Sequence, residues 1–259
     1  MGDGLKSVVI WMGVGLLVLL WLPMMGVRRL ADRDPARYGT GRLFRRLGLA
    51  ISRLNPYWNI SISGHRQIDD RRPYVMVCNH LSQADIPLIS NLPWEMKWIA
   101  KKELFSFPFV GWMMRLAGDI PVNRSALNRK SATLSRAEET LKQRCSVIFF
   151  PEGTRSRNGR MNRFTTGAFE LAIRQQVPVL PMVIDGTQNC LPKNSWKFGS
   201  ARNIRLQILE PVSTEGLSSS QNEIMELRNR VRDRIRDRLA SLREEEPHRV
   251  DNTLKEGSS

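Results

Sequence analysis

Between Val8 and Val27 the chain reads VVIWMGVGLLVLLWLPMMGV, twenty residues without a charge. At about 1.5 Å per residue, a helix of that length matches the roughly 30 Å hydrocarbon core of a bilayer. A helix apolar on all sides belongs in lipid or deep inside a large protein. The 259 residues suffice for one compact domain with an appendage, not for a core that would swallow this run. An uncleaved membrane anchor is therefore expected. A secretory leader would end at a small-x-small cleavage site, whereas Arg28 and Arg29 close the run directly. Pro23 and the glycines at 13, 15 and 26 leave open both a straight span and a bent, half-inserted hairpin. The MGDGLK start lacks the Ser or Thr of a myristoylation signal at position six, so no lipid anchor is expected.

Charge gives the anchor a direction. Only Asp3 and Lys6 precede it, while residues 28 to 53 hold eight arginines against two aspartates. Basic flanks stay on the cytoplasmic side, which places the bulk of the chain there, on an inner membrane. Over the whole chain 40 Lys and Arg face 25 Asp and Glu, a formal charge of +15 that calls for a polyanionic partner. Because the charge sits beside the anchor, and no nucleic-acid motif occurs, that partner is expected to be membrane lipid and not nucleic acid. Cys78, Cys145 and Cys190 are widely spaced, with no CxxC pair, and read as reduced thiols.

Leu43, Leu47, Ile51 and Leu54 recur at three- and four-residue intervals with arginines between them, predicting a basic amphipathic helix within 37–55. Next to an anchor its arginines are expected on anionic lipid, the bland alternative being a helix packed on the domain with its arginines in solvent. Beyond Pro56, short apolar runs alternate with helical stretches, the pattern of an α/β domain. Candidate strands are Trp58–Ile62, Tyr74–Cys78, Lys97–Ala100, Val147–Phe150, Val179–Ile184 and Ile204–Leu209, with helices at Ser125–Arg144 and Thr166–Gln176. Ile224, Leu227, Val231, Ile235, Leu239 and Leu242 share one face of a helix over Gln221–Glu244. The expected organisation is an anchor and basic helix over 1–56, an α/β domain over 57–244 and a flexible tail over 245–259.

Two motifs stand where chemistry is usually found, at the carboxyl ends of apolar strands. The first, NHLSQAD (Asn79 to Asp85), follows YVMVC. Taking a proton from a hydroxyl near neutral pH suits histidine, and a carboxylate on the far imidazole nitrogen would fix its tautomer, so His80 and Asp85 read as a catalytic pair without a protein nucleophile. Ser82-x-x-Asp85 also reads as a helix-capping box. The second, IFFPEGTRSR (Ile148 to Arg157), ends a strand in an acid, a glycine and two arginines. Gly153 admits a ligand close to backbone, and Arg155 presents a fork of donors suited to phosphate oxygens. Glu152 would orient that arginine or meet a glycerol hydroxyl; a solvated turn with a surface ion pair is the bland alternative. In the third stretch, Phe105, Phe107, Phe109, Trp112, Met113 and Met114 read equally as an acyl channel or as core, with Lys101, Lys102 and Arg124 as phosphate partners. No GxSxG nucleophile elbow is present.

Taken in order, NHLSQAD, KKELFSFPFVG with GDIPVNR, FPEGTRS and VPVLPMVI resemble the four successive blocks of the 1-acylglycerol-3-phosphate acyltransferase family, across about residues 75 to 185. That resemblance implies an α/β fold with a mixed, largely parallel sheet flanked by helices, glycerolphosphate acyltransferase-like, carrying an N-terminal membrane-associated helical pair. It implies His80 and Asp85 as catalytic, and Lys101, Lys102, Arg124, Glu152, Gly153, Thr154 and Arg155 on the acceptor-binding side. The donor would be acyl-CoA or acyl carrier protein, the acceptor a lysophospholipid, with no metal and no further cofactor. Relatives with the same blocks acylate other lyso-lipids, including lyso-ornithine lipid, so the acceptor stays open at this point. A non-catalytic membrane-surface binding protein is the alternative of another class.

Overall fold

The computed structural model describes residues 3–65, 69, 71–123, 127–156, 159–192, 194–199 and 203–256, with side chains except at 3, 127–131 and 246–256. Two helices come first, α1 (Asp3–Ala31) and α2 (Tyr38–Arg53). They are antiparallel. Arg28 lies against Gly39, the Trp21 indole donates to the Leu43 carbonyl at 2.9 Å, and Leu54 lies against Gly13. α1 keeps its helix through Pro23 and matches the apolar run.

The α/β body is one seven-stranded sheet ordered β1-β7-β6-β2-β5-β3-β4. Its strands are β1 (Asn59–Gly64), β2 (Val75–Cys78), β3 (Met96–Lys101), β4 (Ile120–Val122), β5 (Ser146–Phe149), β6 (Val179–Asp185) and β7 (Asn203–Ile208). All neighbouring pairs are parallel except β6 with β7. The mixed, largely parallel sheet expected from the resemblance is therefore present. β4 had no sequence signal: it is three residues long and contains Pro121, which is tolerated because β4 is an edge strand where a missing N–H breaks no ladder.

Strand alternation builds two cores. Val75, Val77, Val147, Val179 and Val183 face α5 (Leu127–Lys142), α6 (Gly167–Arg174) and α7 (Gln221–Glu256), whose Ile224, Leu227, Val231, Ile235, Leu239 and Leu242 all join that side. Met76, Cys78, Met96, Trp98, Ile148, Leu180 and Met182 point to the other face, against the short α3 (Asp85–Ile89). α7 runs past Glu244, where the sequence placed the start of a flexible tail; the glutamates at 244–246 favour helix and the next glycine is Gly257.

A third cluster joins the hairpin to the body. Met25 of α1, Leu47 of α2, and Met113 and Ala117 of α4 (Val110–Ala117) are buried together, with Leu43, Phe44 and Ile51 packed around them. The apolar face of α2 is thus spent on α1 and α4. Its arginines do not all face outward as expected from the pattern. Arg45 is buried, and its guanidinium meets both Asp119 carboxylate oxygens at 2.9 Å. Beside it the Lys97 ammonium, 1% exposed, donates to Glu95 at 2.9 Å and to the Ala117 carbonyl at 2.8 Å. Burial pushes the Glu95 carboxyl above its ordinary range, against the pull of Lys97 and Arg45. Two of these charges sit under Gly41, where a Cβ would run into Glu95 and Lys97.

Candidate active site

The site forms where β2 and β5 end side by side. Asn79, fully buried, clamps the end of β2 to β6: its side chain donates to the Ile184 carbonyl and accepts the Ile184 N–H, both at 2.8 Å. The chain then turns into α3 around one carboxylate oxygen. Asp85 Oδ2 accepts the His80 Nδ1 proton at 2.7 Å and the backbone N–H groups of Leu81 and Ser82 at 2.8 and 3.0 Å. Pairing with histidine and holding the turn before α3 are both performed by this one atom, while the helix itself starts at Asp85 with Ala84 as its N-cap and no side-chain cap. Asp85 Oδ1 is buried without a donor among the described residues.

Since an ionised carboxylate only accepts, His80 carries its proton on Nδ1, which leaves Nε2 as the basic atom. The His80 side chain is 17% exposed, enough to present that nitrogen, while Asp85 is fully buried. No protein nucleophile stands ready beside it among the described residues. The Ser82 hydroxyl donates to the Leu191 carbonyl at 2.9 Å, the Ser156 hydroxyl to the Arg160 carbonyl at 2.7 Å, and the Cys78 thiol is buried with its ionisation pushed well up, by burial first and then by Asp85 and Glu152. The Ser82 and Ser156 hydroxyls are thus occupied, so a base at Nε2 would take its proton from an incoming group.

Glu152 binds the two loops together. One oxygen accepts the His80 backbone N–H and the other the Asn162 N–H, each at 2.8 Å. Burial raises its carboxyl above the ordinary value, opposed by those same donors. Both oxygens are committed to backbone, so it neither orients Arg155 nor projects into solvent. Gly153 follows in the left-handed region, φ 73°, and nothing lies within 4 Å of where its Cβ would be. Thr154 is exposed, and Arg155 is half-buried with no hydrogen bond or ion pair among the described residues. Lys101, at the end of β3, is exposed and 3.7 Å from Glu103. Lys102 lines a cavity of about 590 Å³ along the β4 edge with Arg37, Arg115 and Arg136, and none of His80, Asp85, Glu152 or Arg155 lines it. Arg124 lies outside the described residues. The aromatic stretch divides: Phe105, Met113 and Met114 are buried, whereas Phe107, Phe109 and Trp112 are 40–59% exposed.

Phe150 is the contributor that sequence reasoning passed over. Its ring stacks on the His80 imidazole with centroids 4.0 Å apart and planes 15° apart. The register explains it: Met76 pairs with Ile148, so Phe150 lies beside Cys78 on the same face, one step below His80. Period-two alternation carried through the ends of both strands would have found this contact.

A part-exposed histidine bonded to a buried carboxylate at the carboxyl ends of a mixed sheet, beside an arginine with no partner among the described residues, is an arrangement suited to acyl transfer. Residues 59–185 match the family model described as Acyltransferase. The chain is 33% identical over 201 residues to the chloroplastic 1-acyl-sn-glycerol-3-phosphate acyltransferase LPAT1 of Arabidopsis thaliana, covering 77% of this chain and 56% of that one. It is 37% identical over 161 residues to the 1-acyl-sn-glycerol-3-phosphate acyltransferase alpha of Mus musculus, covering 61% and 56%. It therefore spans little more than half the length of these curated relatives. Among solved structures, the 1-acyl-sn-glycerophosphate (LPA) acyltransferase PlsC from Thermotoga maritima superposes with a TM-score of 0.78 at 28% identity, covering 93% of this chain and 96% of that one. The chain is thus a relative of the 1-acyl-sn-glycerol-3-phosphate acyltransferases, sharing their Acyltransferase domain over residues 59–185.

Proposed function

We propose that the protein transfers a fatty acyl group from a thioester, acyl-CoA or acyl carrier protein, to the sn-2 hydroxyl of 1-acylglycerol-3-phosphate, giving phosphatidic acid. The observation that carries this is the His80 Nδ1 to Asp85 Oδ2 bond of 2.7 Å, which leaves Nε2 as an oriented base with no serine or cysteine to activate. Nε2 takes the acceptor hydroxyl proton as the oxygen attacks the thioester carbonyl. Asp85 stabilises the imidazolium. The tetrahedral intermediate then collapses, the carbon–sulfur bond breaks, and the imidazolium returns its proton to the leaving thiolate. Arg155, on the turn that Glu152 ties to His80, grips the acceptor phosphate, joined by Lys101.

Membrane association fits the same reading. α1 is of membrane-crossing length, and Met12, Leu16, Leu19, Leu20, Val27 and Leu30 along it are 53–90% exposed. Its opposite side is held to the body from end to end, which favours a half-inserted hairpin lying in the cytoplasmic leaflet of an inner membrane, with Phe107, Phe109 and Trp112 entering beside it.

The test is thiol release from palmitoyl-CoA with lysophosphatidic acid, lysophosphatidylethanolamine and lyso-ornithine lipid as separate acceptors. Turnover confined to lysophosphatidic acid supports the assignment. Turnover on another acceptor changes the substrate but keeps the chemistry. No turnover with CoA or carrier-protein donors would leave a membrane-surface binding protein.

A further inference from the structure

The ring under His80 does not stand alone. Phe150 is itself stacked on Trp98, with centroids 5.8 Å apart, and the Arg45 guanidinium lies 5.6 Å over the Trp98 ring. Sheet register makes the row continuous: Trp98 pairs with Ile148 and Ile148 with Met76, so Trp98, Phe150 and His80 descend one face across three adjacent strands. The far end is fixed twice by one carboxylate. Asp119 holds Arg45 through both oxygens at 2.9 Å and accepts the Trp98 backbone N–H at 3.0 Å. Arg45 and Trp98 are each 4% exposed.

We infer that Arg45, on the second hairpin helix, is a positioning residue for His80, acting through the Trp98 and Phe150 rings, so that the seating of the hairpin on the body sets the orientation of the catalytic base. This rests on the acyl-transfer reading of His80. The physical case has three parts. A side chain held by one hydrogen bond at Nδ1 still rocks about that bond, and a parallel ring at 4.0 Å removes the freedom. Phe150 keeps its place only while Trp98 backs it, because its own edge is half-exposed. Trp98 in turn has an indole N–H with no acceptor among the described residues, so its ring is held by the Arg45 cation and the Asp119 bond to its backbone. A helix that shifts on the membrane moves Arg45, and the displacement reaches His80 through packed rings without touching Asp85.

The experiment uses the full-length protein in lipid nanodiscs and combines steady-state kinetics with nuclear magnetic resonance of the imidazole rings. The chain has three histidines, His65, His80 and His248, and the His80 signals are assigned by their loss in His80→Asn. The variants are Phe150→Leu, Phe150→Tyr, Trp98→Leu and the double substitution Arg45→Met/Asp119→Leu, which removes a buried charge pair together and leaves no orphan charge. The expected result is a displaced His80 ring signal in Phe150→Leu, Trp98→Leu and the double variant, and a wild-type signal in Phe150→Tyr. Turnover falls roughly tenfold in the first three, with both KM values within about twofold, since misplacing a catalytic group is read in kcat. Wild-type His80 signals and kcat in the folded double variant would overturn the inference; should that variant not fold, the same result in Trp98→Leu would. If His80 moves as expected but wild type releases no thiol on any acceptor, the acyl-transfer reading fails and the positioning contact stands.

Discussion

Glu152 accepts the backbone N–H of His80 at 2.8 Å, so the two motifs that look separate in the sequence are one structural unit. The Ser156 N–H closes the same unit from the other side, donating to the His80 carbonyl at 2.9 Å. His80 is thereby held by its side chain, its amide and its carbonyl, from the start of α3 and from the loop after β5.

Replacing His80 with Ala is expected to lower kcat by about 10²- to 10⁴-fold, the usual worth of a general base, with the unfolding midpoint unchanged. Asp85→Asn should be less clean. It keeps the size but weakens acceptance from Leu81 and Ser82 as well as from His80, so activity and thermal stability fall together. Thiol release and calorimetry on both variants separate the two roles.

Arg155→Ala should raise the KM for the acceptor by one to two orders of magnitude, corresponding to about 1.5–3 kcal/mol for a charge-assisted contact, with little change in the KM for acyl-CoA. An unchanged acceptor KM would remove Arg155 from the phosphate site.

The pH dependence of stability carries the mark of Glu152. Burial raises its carboxyl above 4.5, so across the interval from 4.5 up to its folded value the native state holds more protons than the unfolded one. Stability then falls as pH rises through that interval. Glu152→Gln should flatten this slope, measured as urea midpoint against pH, while keeping an acceptor for the His80 amide. A slope unchanged in the variant would place the dependence elsewhere, with Glu95 as the next carboxyl raised by burial.

All three thiols should resist alkylation in the native state. Cys78, Cys145 and Cys190 are fully buried, and the Cys145 thiol is pushed up to about 12 by desolvation. Treatment with N-ethylmaleimide near neutral pH is expected to leave activity intact, and mass spectrometry to find modification only after denaturant is added.

Gly41→Ala should disturb the hairpin more than any exposed change on α2. The added methyl meets the Glu95 carboxylate and the Lys97 ammonium, both buried and bonded to each other at 2.9 Å. A loss of about 1–3 kcal/mol is expected from urea denaturation; the same substitution at Gly15, where nothing lies within 4 Å, serves as the control.

The sheet, the apolar first helix and the contact between His80 and Asp85 were readable because each is a local pattern: short apolar runs, one long apolar run, a strand followed by a histidine with a carboxylate five residues on. What escaped was long-range. Arg45 has the sequence surroundings of a lipid-facing arginine, and only Asp119 makes it a buried one. Glu152 looks like a ligand group in its motif, yet its oxygens serve His80 and Asn162. Phe107 and Met113 belong to one apolar stretch but part ways, one exposed and one in the core, as the turn at Lys102–Ser106 and the helix after it dictate.

The hairpin contacts also bear on the order of assembly. Trp11 donates its indole N–H to the Trp196 carbonyl at 2.7 Å, and Ser7 accepts the Phe198 N–H at 2.9 Å, across separations of 185 and 191 residues. Such contacts form only after a long loop has been closed. α1 is made early in synthesis, but its seat does not exist until nearly the whole sheet does. In the interval the end of α1 that carries Ser7 and Trp11 lacks these partners, so the seating of the hairpin on the body is among the last steps of folding.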